Sequence, residues 1–222
     1  MKKIFLFVMI LLWLAWGVSF AAETGVKIQG KKLASQKPPF TLLLPSEFQL
    51  VHSSSQENPA ESSRTRVYFL VKVKEKVTEE MVILQIADKT NPQAGPMAVP
   101  PLRPYSEDRM YSRNRMEKGK VEIDYLIQLM AWNPDAPSLK PIVKKGVIIP
   151  HQWALQGQFI FGYKGDHAVF VRYSKDSKSF GLKISEEGRQ WNKQSISGNE
   201  KKALEDFQKV FLGMVESINI MN

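Results

Sequence analysis

The chain has 222 residues, 31 Lys and Arg against 22 Asp and Glu, a formal net charge of +9 and no cysteine. The missing thiols exclude disulfide staples, redox-thiol chemistry and cysteine-based zinc sites, and a chain of this size buries enough surface to hold together without them. Basic residues are spread from Lys27 to Lys209 and mixed with acids, which reads as a solvated surface rather than a polyanion-binding tract.

The chain begins with Lys2 and Lys3, an apolar run from Ile4 to Val18, and Ser19-Phe20-Ala21. A charged start, a greasy core and small residues at the −3 and −1 positions are the parts of an export signal. We therefore expect residues 1–21 to be a cleaved signal peptide and the mature protein to be periplasmic or secreted. A leader retained as an anchor would be the one route to membrane association. Taking those twenty-one residues, with two lysines, from 222 leaves 201 and lowers the charge from +9 to +7. That length favours one domain.

Residues 22–39 are polar and read as a flexible N-terminal arm, with Pro38-Pro39 excluding helix at its end. Residues 40–222 are expected to form a single α+β domain. Phe40 to Leu44 predicts a strand, Pro45-Ser46-Glu47 a turn and Phe48 to Val51 the returning strand of a hairpin. Ser53 to Thr65 is rich in Ser, Asn, Glu and Gln and predicts an exposed loop. Arg66 to Val73 and Met81 to Ala87 are aliphatic, β-branched runs. The second is almost continuously apolar, as in a central strand covered on both faces.

Five prolines and one glycine between Asn91 and Pro104 exclude helix and interior strand and predict an irregular crossing. Ser106 as cap, Glu107 and Asp108 in the first turn and Gly119 as stop predict a helix to about Lys118. Val121 to Trp132 alternates as a bulged strand would. Asn133-Pro134-Asp135 predicts a turn, Ser138 to Lys145 a short helix and Val147 to Ile149 a short apolar run. Gln152 to Tyr163 and His167 to Tyr173 flank Lys164-Gly165-Asp166, a strong hairpin signal that puts Trp153, Leu155, Gly157, Phe159 and Phe161 on one face. Phe180 to Ile184 suits a short strand. Ser197 and Glu200 form a capping-box pattern, and Leu204, Phe207, Phe211, Met214, Val215 and Ile218 recur at helical spacing, so a closing helix must bury that stripe.

This order is an early hairpin with the phrase Phe40-Thr41-Leu42-Leu43-Leu44-Pro45 followed by Phe48, consecutive antiparallel strands, a basic helical insertion, two long late strands around a glycine turn and a closing helix Leu204-x-x-Phe207-x-x-x-Phe211-x-x-Met214-Val215-x-x-Ile218. It resembles the PsbP-like superfamily, which includes bacterial periplasmic relatives of the DcrB type. The resemblance implies a mostly antiparallel sheet with helices packed on both faces, an α/β/α sandwich, and a non-catalytic binding or assembly role in the cell envelope. It carries over no site, because a shared fold does not share a function.

No catalytic arrangement is legible. His52, His151 and His167 are isolated, so a metal site would need distant acids such as Asp166 and Asp176. Adjacent carboxylates such as Glu79-Glu80, Glu107-Asp108 and Glu186-Glu187 point apart on a strand rather than across a scissile bond. No serine-hydrolase elbow occurs. No catalytic residue, metal or cofactor is assigned. The stretch from Arg103 to Lys120 is the candidate contact surface, because arginine and tyrosine are the residues of interface hot spots. Arg103, Tyr105, Arg109, Tyr111, Arg113 and Arg115 are its candidate partner-binding residues. In the plainer reading, Met110 and Met116 pin a helix to the sheet and the arginines are solvated. The expected partner is another envelope protein or an anionic one; nucleic acid is disfavoured outside the cytoplasm and without a stacking platform. The alternative function is carriage of a small hydrophobic molecule or lipid between the sheet and the closing helix, lined by Phe159, Phe161, Phe207 and Phe211.

Overall fold

The computed structural model describes residues 25–182, 191–192, 194–196 and 198–221. The expected signal peptide, Lys183 and Ile184 of the strand proposed at Phe180 to Ile184, and Ser197 of the capping box lie outside them; Phe180 ends a 3-10 turn capped by Gly181 and is not strand. Among the described residues, eleven strands form two antiparallel sheets. Strands β1 (Val26–Gln29), β2 (Lys32–Gln36), β3 (Pro39–Leu43) and β11 (Asn219–Ile220) make a four-stranded sheet in that order. The larger sheet contains β4 (Gln49–Asn58), β5 (Ser63–Lys74), β6 (Val77–Lys89), β7 (Met110–Lys118), β8 (Val121–Trp132), β9 (Gln152–Tyr163) and β10 (His167–Asp176), in the order β4-β5-β6-β10-β9-β8-β7. Two α-helices are present among the described residues, α1 (Lys140–Val143) and α2 (Gly198–Glu216).

The expected sandwich with helices on both faces is therefore corrected. The inner face of the large sheet is covered by α2 together with the small sheet, and Leu33, Phe40, Leu42, Leu84, Phe159, Val171, Phe207 and Phe211 belong to one core. The outer face carries two largely irregular connections, whose only α-helix among the described residues is the four-residue α1. The topology is the reason. β6 is central and β7 is the far edge, so the chain must traverse β10, β9 and β8 between them, about 19 Å at normal strand spacing. Its five prolines suit that extended path. The β8–β9 connection, residues 133–151, also folds back over this face: Leu139, Ile142 and Ile149 pack on Phe69, Val71, Met81 and Trp132.

Four local expectations change as well. Residues 25–39 are not a loose arm but the β1–β2 hairpin and the entry to β3, with Val26 and Leu33 buried. Phe40 to Leu43 does not pair with the following strand; it joins β2 and β11, while β4 crosses into the large sheet. The loop expected at 53–65 is largely strand, because a polar edge strand looks like a loop in composition. Finally, the segment from Ser106 to Lys118 is a short 3-10 turn followed by the edge strand β7. Ser106 makes no side-chain cap. Gly119, at φ 62°, closes a two-residue hairpin turn to β8 rather than stopping a helix. Pairing with the otherwise open edge of β8 outweighs a weak helix preference. The bulge expected in β8 lies opposite it, at Tyr111 of β7.

The late hairpin and the closing helix match their sequence signals. β9 and β10 pair from His167–Tyr163 to Asp176–Ala154. Helix α2 buries Leu204, Phe207, Phe211, Met214 and Val215. Gly157 is what lets it approach: a Cβ there would sit 2.3 Å from the Phe211 ring. The rings of Tyr173 and Phe207 stack at 5.4 Å and those of Phe207 and Phe211 at 6.3 Å. Phe159, Phe161, Phe207 and Phe211, proposed as carrier lining, are thus packed against one another and their neighbours in the core.

One carboxylate is buried at the end of this interior. Glu80 is 3% exposed and accepts hydrogen bonds from Lys72 Nζ (2.9 Å), Ser46 Oγ (2.8 Å) and the Tyr173 hydroxyl (2.9 Å). Burial by itself would raise its pKa. The bond from Lys72, then those from Ser46 and Tyr173 and the charge of Lys175, outweigh burial and hold it below the ordinary glutamate value.

Candidate functional site

Alternation along the strands puts a second set of side chains on the outer face. Cross-strand register arranges them in rows. One row is Met81, Ser174, Gln156 and Gln128; the next is Ile83, Arg172, Gln158 and Leu126; the next is Gln85, Phe170, Ile160 and Asp124. The first two rows place three glutamines and an arginine on a sheet otherwise rich in aliphatic residues.

The glutamines are buried and bonded to one another. Gln156 Oε1 accepts from Gln128 Nε2 at 2.7 Å and from Gln158 Nε2, while Gln156 Nε2 donates to Ser174 Oγ at 3.0 Å. Gln128 Oε1 accepts the backbone N–H of Tyr105, which fixes the crossing segment over the floor. A satisfied network of this kind holds its members in place, since an unpaired buried amide is costly.

Between the two irregular connections lies an open groove of about 920 Å³, within the usual range of small-molecule sites. Its floor includes Gln128, Gln156, Gln158 and Arg172; its walls include Arg103, Tyr105, Arg109, Trp132, His151 and Trp153. Among the described residues, three arginines line it and no aspartate or glutamate does. The Arg109 guanidinium stacks 4.2 Å from the Trp153 ring and 5.7 Å from that of Tyr105. Arg172 stacks 4.3 Å from the Phe170 ring and forms no ion pair among the described residues. Burial lowers its pKa, yet a guanidinium keeps its proton at neutral pH. The result is a half-buried cation without a counter-charge. Trp132 is wholly buried and lines the groove, and its indole N–H has no hydrogen-bond partner among the described residues.

The structure divides the six residues singled out from the sequence. Arg103, Tyr105 and Arg109 converge on the groove. Tyr111 turns inward and is buried in the main core. Arg113 donates to the Leu102 carbonyl at 3.1 Å, bracing the crossing segment. Arg115 is exposed on β7 and pairs with Asp124 at 2.7 Å and Glu122 at 2.8 Å. Met116 does pack against the core, but from a strand. Sequence reasoning missed Arg172 and the three glutamines. Their signal was available as polar residues at alternate positions, Gln156, Gln158 and Arg172, in two strands whose other face is apolar.

The histidines do not assemble. His52 lies beside Phe69, His151 is at the groove rim, and His167 Nδ1 is 2.8 Å from Asp88, which Arg66 also binds. Among the described residues no group of three metal-ligating side chains occurs, and no helix is long and apolar enough to cross a membrane. No family model, curated protein or solved structure matches the chain.

Proposed function

We propose that this chain is an exported binding protein that holds an anionic ligand in the groove on the outer face of the seven-stranded sheet. The observation that carries this is Arg172: half-buried, and, among the described residues, without a carboxylate partner and joined by Arg103 and Arg109 in a lining that contains no acid. Keeping a cation in partial burial is unfavourable unless something compensates it, and an anion bound in the groove does so. The faces of Trp153, Tyr105 and Phe170 favour a ligand whose charged group is attached to an apolar or planar body. The groove offers one imidazole, His151, with no carboxylate or thiol beside it, which supports retention of a ligand over its turnover. Export is proposed from the leader, Lys2 to Ala21.

The expected partner is thereby narrowed from an envelope protein or any anionic partner to a small anion-bearing molecule. The test is titration with phenyl phosphate, followed through the fluorescence of Trp132 and Trp153, beside Arg172→Gln. Saturable binding that weakens with added salt is expected, and the substitution should weaken it by about tenfold or more. Unchanged affinity in Arg172→Gln would remove this reading.

A further inference from the structure

The groove does not end at Arg172. A second cavity of about 690 Å³ adjoins it on the same face and shares Pro100, Ile160 and Phe170 with it. The row beyond Phe170 is Thr65, Ala87, Ala168 and Gly162, so along β9 and β10 the floor changes from amides and a guanidinium to small residues, while Glu61, Ser63, Gln85 and Lys89 supply the polar part of the second cavity's lining. The roof changes in the same sense, from Arg103, Pro104 and Tyr105 over the first cavity to Ala94, Gly95, Pro96, Met97 and Ala98 over the second.

This roof is fixed at both ends. Met97 N–H donates to the Gly165 carbonyl at 2.7 Å, and Val99 presses on Gly162, where a Cβ would lie 2.7 Å from a Val99 methyl. At the other end Tyr105 N–H is held by Gln128 and the Leu102 carbonyl by Arg113. Prolines 92, 96, 100, 101 and 104 stiffen the segment between. The two cavities meet at Pro100, Ile160 and Phe170 beside a strap pegged at both ends, so little ordering is needed when a ligand enters.

We infer that the ligand is an amphiphile whose anionic head lies at Arg172 and whose aliphatic chain runs along β9 and β10, past Phe170 and beneath residues 94–100, into the second cavity. The inference rests on the anion-binding reading and adds the chemistry of the ligand's other end. The four steps from Arg172 to Ala168 span about 13 Å of strand, a length suited to an extended alkyl chain. Phe170 serves both ends, offering one side to the guanidinium and lining both cavities.

The test compares n-butyl phosphate, n-decyl phosphate and n-decyltrimethylammonium by titration calorimetry on the mature protein, each below its micelle concentration. Decyl phosphate should bind at least about tenfold more tightly than butyl phosphate, as burial of added methylenes requires, and the cationic amphiphile should not compete with it. In Ala168→Phe, which fills the second cavity, the chain-length preference should vanish while butyl phosphate binds as before. Equal affinities for the two phosphates in the unaltered protein would overturn the inference and leave the anion site standing. Tight binding of the cationic amphiphile, or alkyl phosphate binding unaffected by Arg172→Gln, would overturn the anion site itself.

Discussion

The two faces of the seven-stranded sheet are built from the same strands and could hardly differ more in what covers them. On the inner face Tyr68, Leu84, Phe159, Val171 and Tyr173 are sealed beneath α2 and the small sheet. One residue along, the outer face presents Gln156, Gln158, Phe170 and Arg172 to a groove roofed by proline-rich chain. A helix brings a continuous apolar stripe that fills the space above a sheet. An extended strap contacts the floor only where it is pegged and leaves room elsewhere. The inner face therefore sets stability and the outer face is free to bind, although the two alternate every 3.3 Å or so along each strand.

That division is tested hardest where the inner face is tightest. Phe211→Ala removes a fully buried ring that stacks with Phe207 and covers Gly157, and should cost about 3–5 kcal/mol in chemical denaturation. Phosphate binding by the fraction still folded should be unaltered. Gly157→Ala attacks the same contact from the sheet side and should cost about 1–3 kcal/mol, since the ring must move. Combining it with Phe211→Leu should cost less than the sum of the two single changes, which a double-mutant cycle reads directly.

Glu80 sharpens the comparison, being a charge on the inner face that is compensated while Arg172 on the outer face is not. Its folded pKa is depressed by Lys72, Ser46, Tyr173 and Lys175 against the effect of burial. The stability it contributes is therefore present above the pKa of the unfolded chain and is lost as pH falls through the lower, folded value. Glu80→Gln should cost about 1–3 kcal/mol at neutral pH and give a shallower loss of stability on acidification. Thermal melts between pH 7 and pH 3 check both. Arg172→Gln has no such ion pair to break and should change stability far less than it changes binding.

Segments whose own residues fix their partner were legible in the sequence. The β9–β10 hairpin carries its turn, β6 its double-sided apolar pattern and α2 its stripe, and all three stand as read. The elements misread are those whose form depends on what lies beside them. β4 is a polar edge strand that exists because β5 offers it a ladder; Phe40 to Leu43 pairs with β2 and with the chain end, 178 residues on from Thr41 to Asn219. The site divided on the same principle. Arg103, Tyr105 and Arg109 stood out by composition, whereas Arg172 and the glutamines were hidden by the assumption that a helix covers the outer face. Once that face is seen to carry no helix longer than the four-residue α1, every polar residue that points into its groove becomes a question about a ligand.

The smallest effect is expected at Arg115, and it separates arginines that the sequence grouped together. Arg115 sits only two positions from Arg113 and six from Arg109, but on edge strand β7 it points to solvent and meets Asp124 and Glu122 there. Exposed pairs of this sort are screened and their side chains give up entropy to form them. Arg115→Ser should change stability by no more than about 0.5 kcal/mol and leave alkyl phosphate affinity as it was. Arg109→Ser removes a guanidinium of equal charge that lies over Trp153 inside the groove, and should weaken that affinity several-fold. Equal effects of the two substitutions would mean that net charge attracts the ligand and the groove does not select it. Titrating both variants in parallel at two salt concentrations distinguishes these cases: affinity falls with salt in either case, but a difference between the two variants that survives at high salt reports the contact inside the groove and not a general field.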